Sequence, residues 1–283
     1  MSTEPSYIMQ ESIERAPMAR YLTRLLEEQP LRLIACKVIK RVSGNVRTLE
    51  RWDAAERPPY LTGMLAAADM AKQDGIDSIY AIEFGVASGK GLLLMQQYAE
   101  LIERQTGVHI HLAGFDSGVG LPSIEGDYRE HPDRWLEGDY LMDKEWLCAR
   151  LASRTELILG DVRDTVPTFG RKQQSPVGFL AMDLDLYSST LEALRILTLP
   201  GAQRLRRTFV YFDDIMLPQN HRFAGERLAI EEFNRENDSI KIDSWYALRN
   251  RIFRDLLWVH MMYAAHDLVA ISNFRTKRPP QRL

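Results

Sequence analysis

The chain has 283 residues, 45% hydrophobic and 27% charged, which is enough to bury one large core and lies at the upper size of a single α/β domain. Its 36 Lys and Arg against 39 Asp and Glu leave a formal charge of −3, so there is no general pull toward nucleic acid or membrane. Cys36 and Cys148 lie far apart and in no metal-ligand spacing, no run approaches the roughly 18 apolar residues of a membrane span, and "MSTEPSYIMQESIER" does not read as a signal peptide, so the expectation is a cytoplasmic protein without disulfides or zinc.

Residues 1–58 read as an N-terminal helical extension. "MARYLTRLLEEQ" and "LRLIACKVIKRV" carry amphipathic spacing, interrupted at Pro30 and at the "RPP" of 57–59. Their apolar stripes need a partner, either the main core or a second subunit, and a homodimer or higher homo-oligomer is expected. Residues 59–283 read as one domain, entered by the helical run "YLTGMLAAADMAKQ". The strand-like segments "IYAIEF", "VHIHLAGFD", "TELILG", "VGFLAMD" and "TFVYFDD" then alternate with helix-like ones, "KGLLLMQQYAELI", "LMDKEWLCARLA", "VRDTVPTFG" and "STLEALRILTL". That alternation means βαβ units and a mostly parallel sheet. After "GERLAIEEFNREN", the stretches "IKIDSWYAL" and "WVHMMYAAHDLVAISNF" are expected to close the sheet as an antiparallel pair, although "RDLLWVHMMYAA" reads equally well as helix. The insertion at about 117–140 reads as a lid, since such long loops in a compact domain are lids or linkers and a linker rarely keeps aromatics such as Tyr128, Trp135 and Tyr140.

The functional signal lies at the strand ends, where open α/β sheets bind ligands. Glu83 ends the first strand, Asp116 the second, Asp161 follows the third, Asp183 and Asp185 end the fourth, and Asp213 with Asp214 ends the fifth. One such acid means little, whereas five acidic ends in register line a pocket with carboxylates. In "AIEFGVASGKG" glycine sits where strand becomes helix, which allows a sharp turn and lets a ligand lie against the main chain and the free N–H groups of the next helix. The spacing is E-x-G-x-x-x-G, with Glu83, Gly85 and Gly89, and not the dinucleotide G-x-G-x-x-G. A nicotinamide-dependent dehydrogenase is therefore disfavoured.

That spacing resembles the first motif of class I S-adenosylmethionine-dependent methyltransferases. "FDSGVGLP", "AMDLDLYSST" and "VYFDD" further resemble the macrocin O-methyltransferase family, the metal-dependent sugar O-methyltransferases of macrolide and aminocoumarin antibiotic pathways, over residues from about Tyr60 to Tyr246. The resemblance implies a Rossmann-like class I methyltransferase fold: a mostly parallel seven-stranded sheet with helices on both faces. It departs from the family pattern at Gly118 and Val119 and in the lid, which leaves the substrate unread.

What the resemblance implies chemically is specific to residues. Glu83, Gly85, Ser88 and Gly89 would hold the methionine part of S-adenosylmethionine, Asp116 with Ser117 the ribose, and Asp161 with Val162 the adenine. Asp183, Asp213 and Asp214 would bind Mg²⁺ or another divalent cation, a hard ion suited to carboxylate oxygens. Asp185, two residues from Asp183, lies on the same side if the strand runs that far or beyond its end if not, and would be the general base; among the residues themselves His131 and His221 are rival bases. The expected acceptor is a small hydroxylated metabolite, a sugar or a glycosylated natural product, with Trp135 and Tyr140 as stacking residues or as packing for the lid. An N-atom or phenolic acceptor, and a non-catalytic cofactor-binding or scaffold protein, are the other readings.

Overall fold

Asn45 separates the first two helices of the computed structural model, which describes residues 31–275 except 125, 200–202, 219 and 254. The Asn45 side chain accepts from the N–H groups of Arg47 and Thr48, a cap that starts α2 (Val46–Arg51) three residues after α1 (Leu31–Val42) ends. The expected helix "MARYLTRLLEEQ" lies outside the described residues. No residue of α1 is buried, and Arg32 ties it to the body by a 2.8 Å bond to Asp53. Its exposed Leu33, Ile34 and Val38 thus leave the apolar stripe largely uncovered.

Helix α3 (Pro58–Asp74) begins with two prolines, which are tolerated where helix N–H groups have no partner, and ends at Gly75 in the left-handed conformation. It is buried along most of its length because it lies on the sheet, and Gly63 lets the Phe179 ring reach its backbone. The chain continues through β1 (Ser78–Phe84), α4 (Lys90–Thr106), β2 (His109–Asp116), the lid, α5 (Lys144–Cys148) and β3 (Thr155–Leu159). There follow α6 (Val162–Lys172), β4 (Val177–Met182), α7 (Tyr187–Leu194), β5 (Arg204–Phe212) and α8 (Gly225–Glu236). Last come β6 (Ile240–Ser244), β7 (Met262–Asp267) and α9 (Leu268–Asn273).

The sheet has seven strands in the order β3-β2-β1-β4-β5-β7-β6. Strands β1 to β5 are parallel, and β7 lies antiparallel between β5 and β6. The order reverses direction after β3, so crossovers of one hand place helices on both faces. All six residues of β4 are buried, as a central strand covered on both sides requires. This is the fold the sequence led one to expect, including the closing antiparallel pair.

Three local readings change. "LMDKEWLCARLA" is helical only over Lys144–Cys148, capped by Asp143. "WVHMMYAA" is neither all helix nor all strand: a 3-10 segment over Leu257–Met261 precedes β7, because the Met262–Asp267 backbone pairs with both neighbours. The fourth strand stops at Met182, so strand alternation does not reach Asp185, whose φ of +61° turns the chain away. No helix among the described residues is long and apolar enough to cross a membrane, and both cysteines are free.

Candidate active site

The tips of β1, β2 and β4 are pinned to one another. Gly85 N–H donates to Phe115 O and Asp183 N–H to Phe84 O, each at 2.9 Å. Gly85 has φ +83°, and a Cβ there would fall 1.6 Å from the Asp183 carbonyl oxygen, so only glycine fits between the two turns. Glu83 is fully buried beneath this turn. Its Oε1 accepts from the Tyr60 hydroxyl at 2.7 Å, while Oε2 has no hydrogen-bond partner. Burial pushes the Glu83 carboxyl up to about 7, against the lowering effect of the Tyr60 bond and of Arg57.

Asp116 joins two loops. Its Oδ2 accepts from the N–H groups of Val86 at 2.9 Å and Ala87 at 2.8 Å, and its Oδ1 from Gly118 at 2.7 Å. The glycine turn after β1 and the start of the lid therefore hang on one carboxylate. Asp161 caps α6 by accepting from Arg163 N–H at 2.8 Å, and Val162 opens that helix.

Asp183, Asp185, Asp213 and Asp214 gather beyond β4 and β5. Asp213 accepts from the Tyr211 hydroxyl at 2.5 Å, Asp185 lies close enough to Asp213 and Asp214 to be repelled by both, and the Arg57 guanidinium stands 3.8 Å from Asp183. Burial first, and then mutual repulsion, raises the carboxyls of Asp183, Asp185 and Asp214. A hard cation suits such an all-oxygen set, and Asp214 Oδ2 has no protein partner. As the side chains stand, however, no group of three or more His, Cys, Asp or Glu among the described residues is arranged to hold a metal ion.

One cavity of about 880 Å³ runs along these tips. It is lined by Glu83, Gly85, Ser88, Asp116, Ser117, Asp161 and Val162, and by Asp183, Asp185, Asp213 and Asp214. Two expected site residues lie elsewhere. Gly89 is the cap of α4, with φ +77°, and approaches Leu147 rather than the cavity. His131 is buried behind the cavity wall, its ring 5.5 Å from that of His221. It borders a separate void of about 10 Å³, room for about one water.

The lid is closed on itself by the Leu121–Asp139 and Gly138–Leu121 backbone bonds. It is held to the body by Glu130, which accepts from Ser188 N–H at 3.1 Å. Trp135 is buried with Ile124 and Leu186 and also lines the cavity, so it packs the lid and shapes the site together; Tyr140 lines the cavity half-exposed.

Sequence reasoning missed Arg57 and Glu226. Arg57 lines the cavity although it stands before the domain boundary expected at 58/59. Glu226 is fully buried with neither carboxylate oxygen partnered, and burial followed by Asp214, Asp213, Asp183 and Asp185 holds its carboxyl well above the usual range. An acid in the first turn of a helix is the commonplace partner of the helix dipole. Only its position one residue after the left-handed Gly225 hints at anything more.

No protein-family model and no curated protein matches the chain. Among solved structures it is similar to the O-methyltransferase NovP, at 17% identity and a TM-score of 0.51 over 88% of this chain and 98% of that one. It is also similar to the calicheamicin methyltransferase CalS11, at 20% identity and a TM-score of 0.45 over 83% and 91%, respectively. The O-methyltransferase TomG from Streptomyces achromogenes aligns at 14% identity and a TM-score of 0.39, covering 92% of this chain and 99% of that one. Together with the strand order, the likeness to NovP shows that this chain has the Rossmann-like fold of class I methyltransferases.

Proposed function

We propose that the chain is an S-adenosylmethionine-dependent O-methyltransferase acting on a hydroxyl of a small metabolite, a sugar or a glycosylated natural product, with help from a divalent cation such as Mg²⁺. The observation that carries this reading is the single cavity joining the glycine turn at Gly85 to four aspartates at neighbouring strand tips. The names of NovP and of CalS11, a calicheamicin methyltransferase, support it only as analogy.

When bound, S-adenosylmethionine supplies an electrophilic methyl group. The chain's own residues seat and orient it. Asp161 and Val162 mark the adenine end, Asp116 holds both loops of the ribose region rigid, and Gly85 leaves the backbone bare for the methionine end. On the acceptor side, Asp183, Asp213 and Asp214 would hold the cation, which would make a bound hydroxyl more acidic and fix its direction. Asp185, buried on the cavity wall beside Asp214, would in its ionised form accept the hydroxyl proton on a carboxylate oxygen. Trp135 and the lid wall off water from that side.

Calorimetric titration with S-adenosylmethionine, followed by a methyl-transfer assay over a library of hydroxylated metabolites with and without chelator, tests the reading. Cofactor binding with chelator-sensitive turnover supports it. Turnover untouched by chelation favours a metal-free O-methyltransferase. An absence of cofactor binding ends the reading.

A further inference from the structure

We propose that Arg57 is the anion anchor of the cofactor cleft, its guanidinium receiving the α-carboxylate of the methionine half of S-adenosylmethionine. This rests on the cofactor reading above and adds a residue from the segment before the methyltransferase domain.

Strand order decides which end of the cofactor meets which residues. With adenine at Asp161 beyond β3 and ribose at Asp116 beyond β2, the remaining end runs toward β1 and β4, the next strands in the sheet. That end is a zwitterion, with an ammonium and a carboxylate. The groups gathered there are almost all acids: Glu83 below the turn, then Asp183, Asp185, Asp213 and Asp214. They suit an ammonium and repel a carboxylate. The cations lining the cavity are Arg57 and Arg134. Arg134 comes from the lid, over the Trp135 ring at 4.3 Å, and acts on Asp185 and Asp214 beyond β4 and β5, whereas Arg57 stands beside Glu83 and Asp183 and is the cation at the β1/β4 end.

The geometry of Arg57 leaves it fit for a ligand. Its guanidinium lies over the Tyr60 ring at 5.2 Å and donates to the Tyr60 hydroxyl at 2.9 Å; that hydroxyl in turn donates to Glu83. This chain fixes the arginine's position through a buried residue. Its contacts to Glu83 at 4.0 Å and Asp183 at 3.8 Å are too long for hydrogen bonds. Of the five donors a guanidinium carries, one bond to Tyr60 occupies one, and the side chain is 42% exposed. A planar fork with free donors, reachable from solvent and held beside a cleft, is what bidentate carboxylate recognition requires. Had Arg57 served only to neutralise Asp183 and Glu83, closer contact with them would be expected.

The test compares two ligands that differ by one carboxylate, S-adenosylmethionine and decarboxylated S-adenosylmethionine, by calorimetric titration of the full chain as wild type, Arg57→Ala and Arg57→Lys. The expected result is that Arg57→Ala weakens S-adenosylmethionine binding by about 10- to 100-fold, as loss of a charged hydrogen bond would. Binding of the decarboxylated ligand should change less than about 2-fold, which also shows the variant is folded, and Arg57→Lys should recover part of the loss by charge alone. Equal weakening of both ligands would make Arg57 a structural residue and overturn the proposal, as would unchanged S-adenosylmethionine affinity. Wild type binding both ligands equally would overturn the anchor while leaving the cofactor reading intact; wild type binding neither would overturn both.

Discussion

Gly85 and Asp183 touch through their backbones: a Cβ on the glycine would lie 1.6 Å from the aspartate's carbonyl oxygen. The first turn of the cleft is thereby built against the strand tip that carries the proposed chemistry. Gly85→Val faces both this clash and a left-handed φ of +83°. It is expected to cost at least about 2 kcal/mol of stability, read by urea unfolding. Cofactor affinity should fall with it, and a variant of native stability and affinity would show that the turn yields easily.

Asp116 takes three backbone N–H groups on one carboxylate. Asp116→Ala leaves Val86, Ala87 and Gly118 without their acceptor, so thermal unfolding should reveal a loss of about 2–4 kcal/mol. Asp116→Asn retains an acceptor oxygen and should lose less. If Asp116 served ribose alone, neither substitution would alter the stability of the ligand-free chain.

Glu226 makes stability depend on pH in a definite sense. Its carboxyl is held well above the ordinary value of 4.5, first by burial and then by the neighbouring aspartates. The folded chain keeps this proton where the unfolded chain has released it, so the contribution is whole below the unfolded pKa and is lost as pH rises toward the folded one. Glu226→Gln cannot ionise. In metal-free buffer the variant should lose less stability than wild type as pH rises from about 5 to about 8. Parallel pH profiles for the two proteins would mean that Glu226 is hydrated in solution.

Metal assistance has a stability signature separate from turnover. Asp183, Asp185 and Asp214 all have raised carboxyls, so a cation held there competes with protons. Mg²⁺ should raise the melting temperature more at about pH 8 than at about pH 5.5, by mass action on the folded state. Asp183→Asn and Asp213→Ala should each remove that increment while leaving S-adenosylmethionine affinity nearly intact. No increment in wild type at either pH would remove the cation from the proposal.

Much of the fold was legible because its signals are local. Segments such as "IYAIEF" and "VGFLAMD" are continuous apolar runs, as strands buried on both faces must be, and the runs between them keep helical spacing. That the strand-end acids share one cavity could be read for a related reason: a parallel sheet brings all its C-terminal ends to one edge. Local rules stop where the elements stop. The two-residue period cannot relate Asp183 to Asp185 because β4 ends at Met182, and Gly89, at the expected junction of strand and helix, faces Leu147 rather than the cavity.

The amino-acid order by itself thus determined the sheet, the glycine turn and the row of carboxylates, since each follows from neighbours a few residues apart. Packing alone decided that Arg57 meets Glu83 and Asp183, that His131 is shut behind the cavity wall, and that Glu226 is buried facing four aspartates. Those relationships join distant segments through the docking of α3, the lid and α8, and no short-range spacing records them. Burial and charge at such a point depend on everything around it, and that environment exists only in the folded chain.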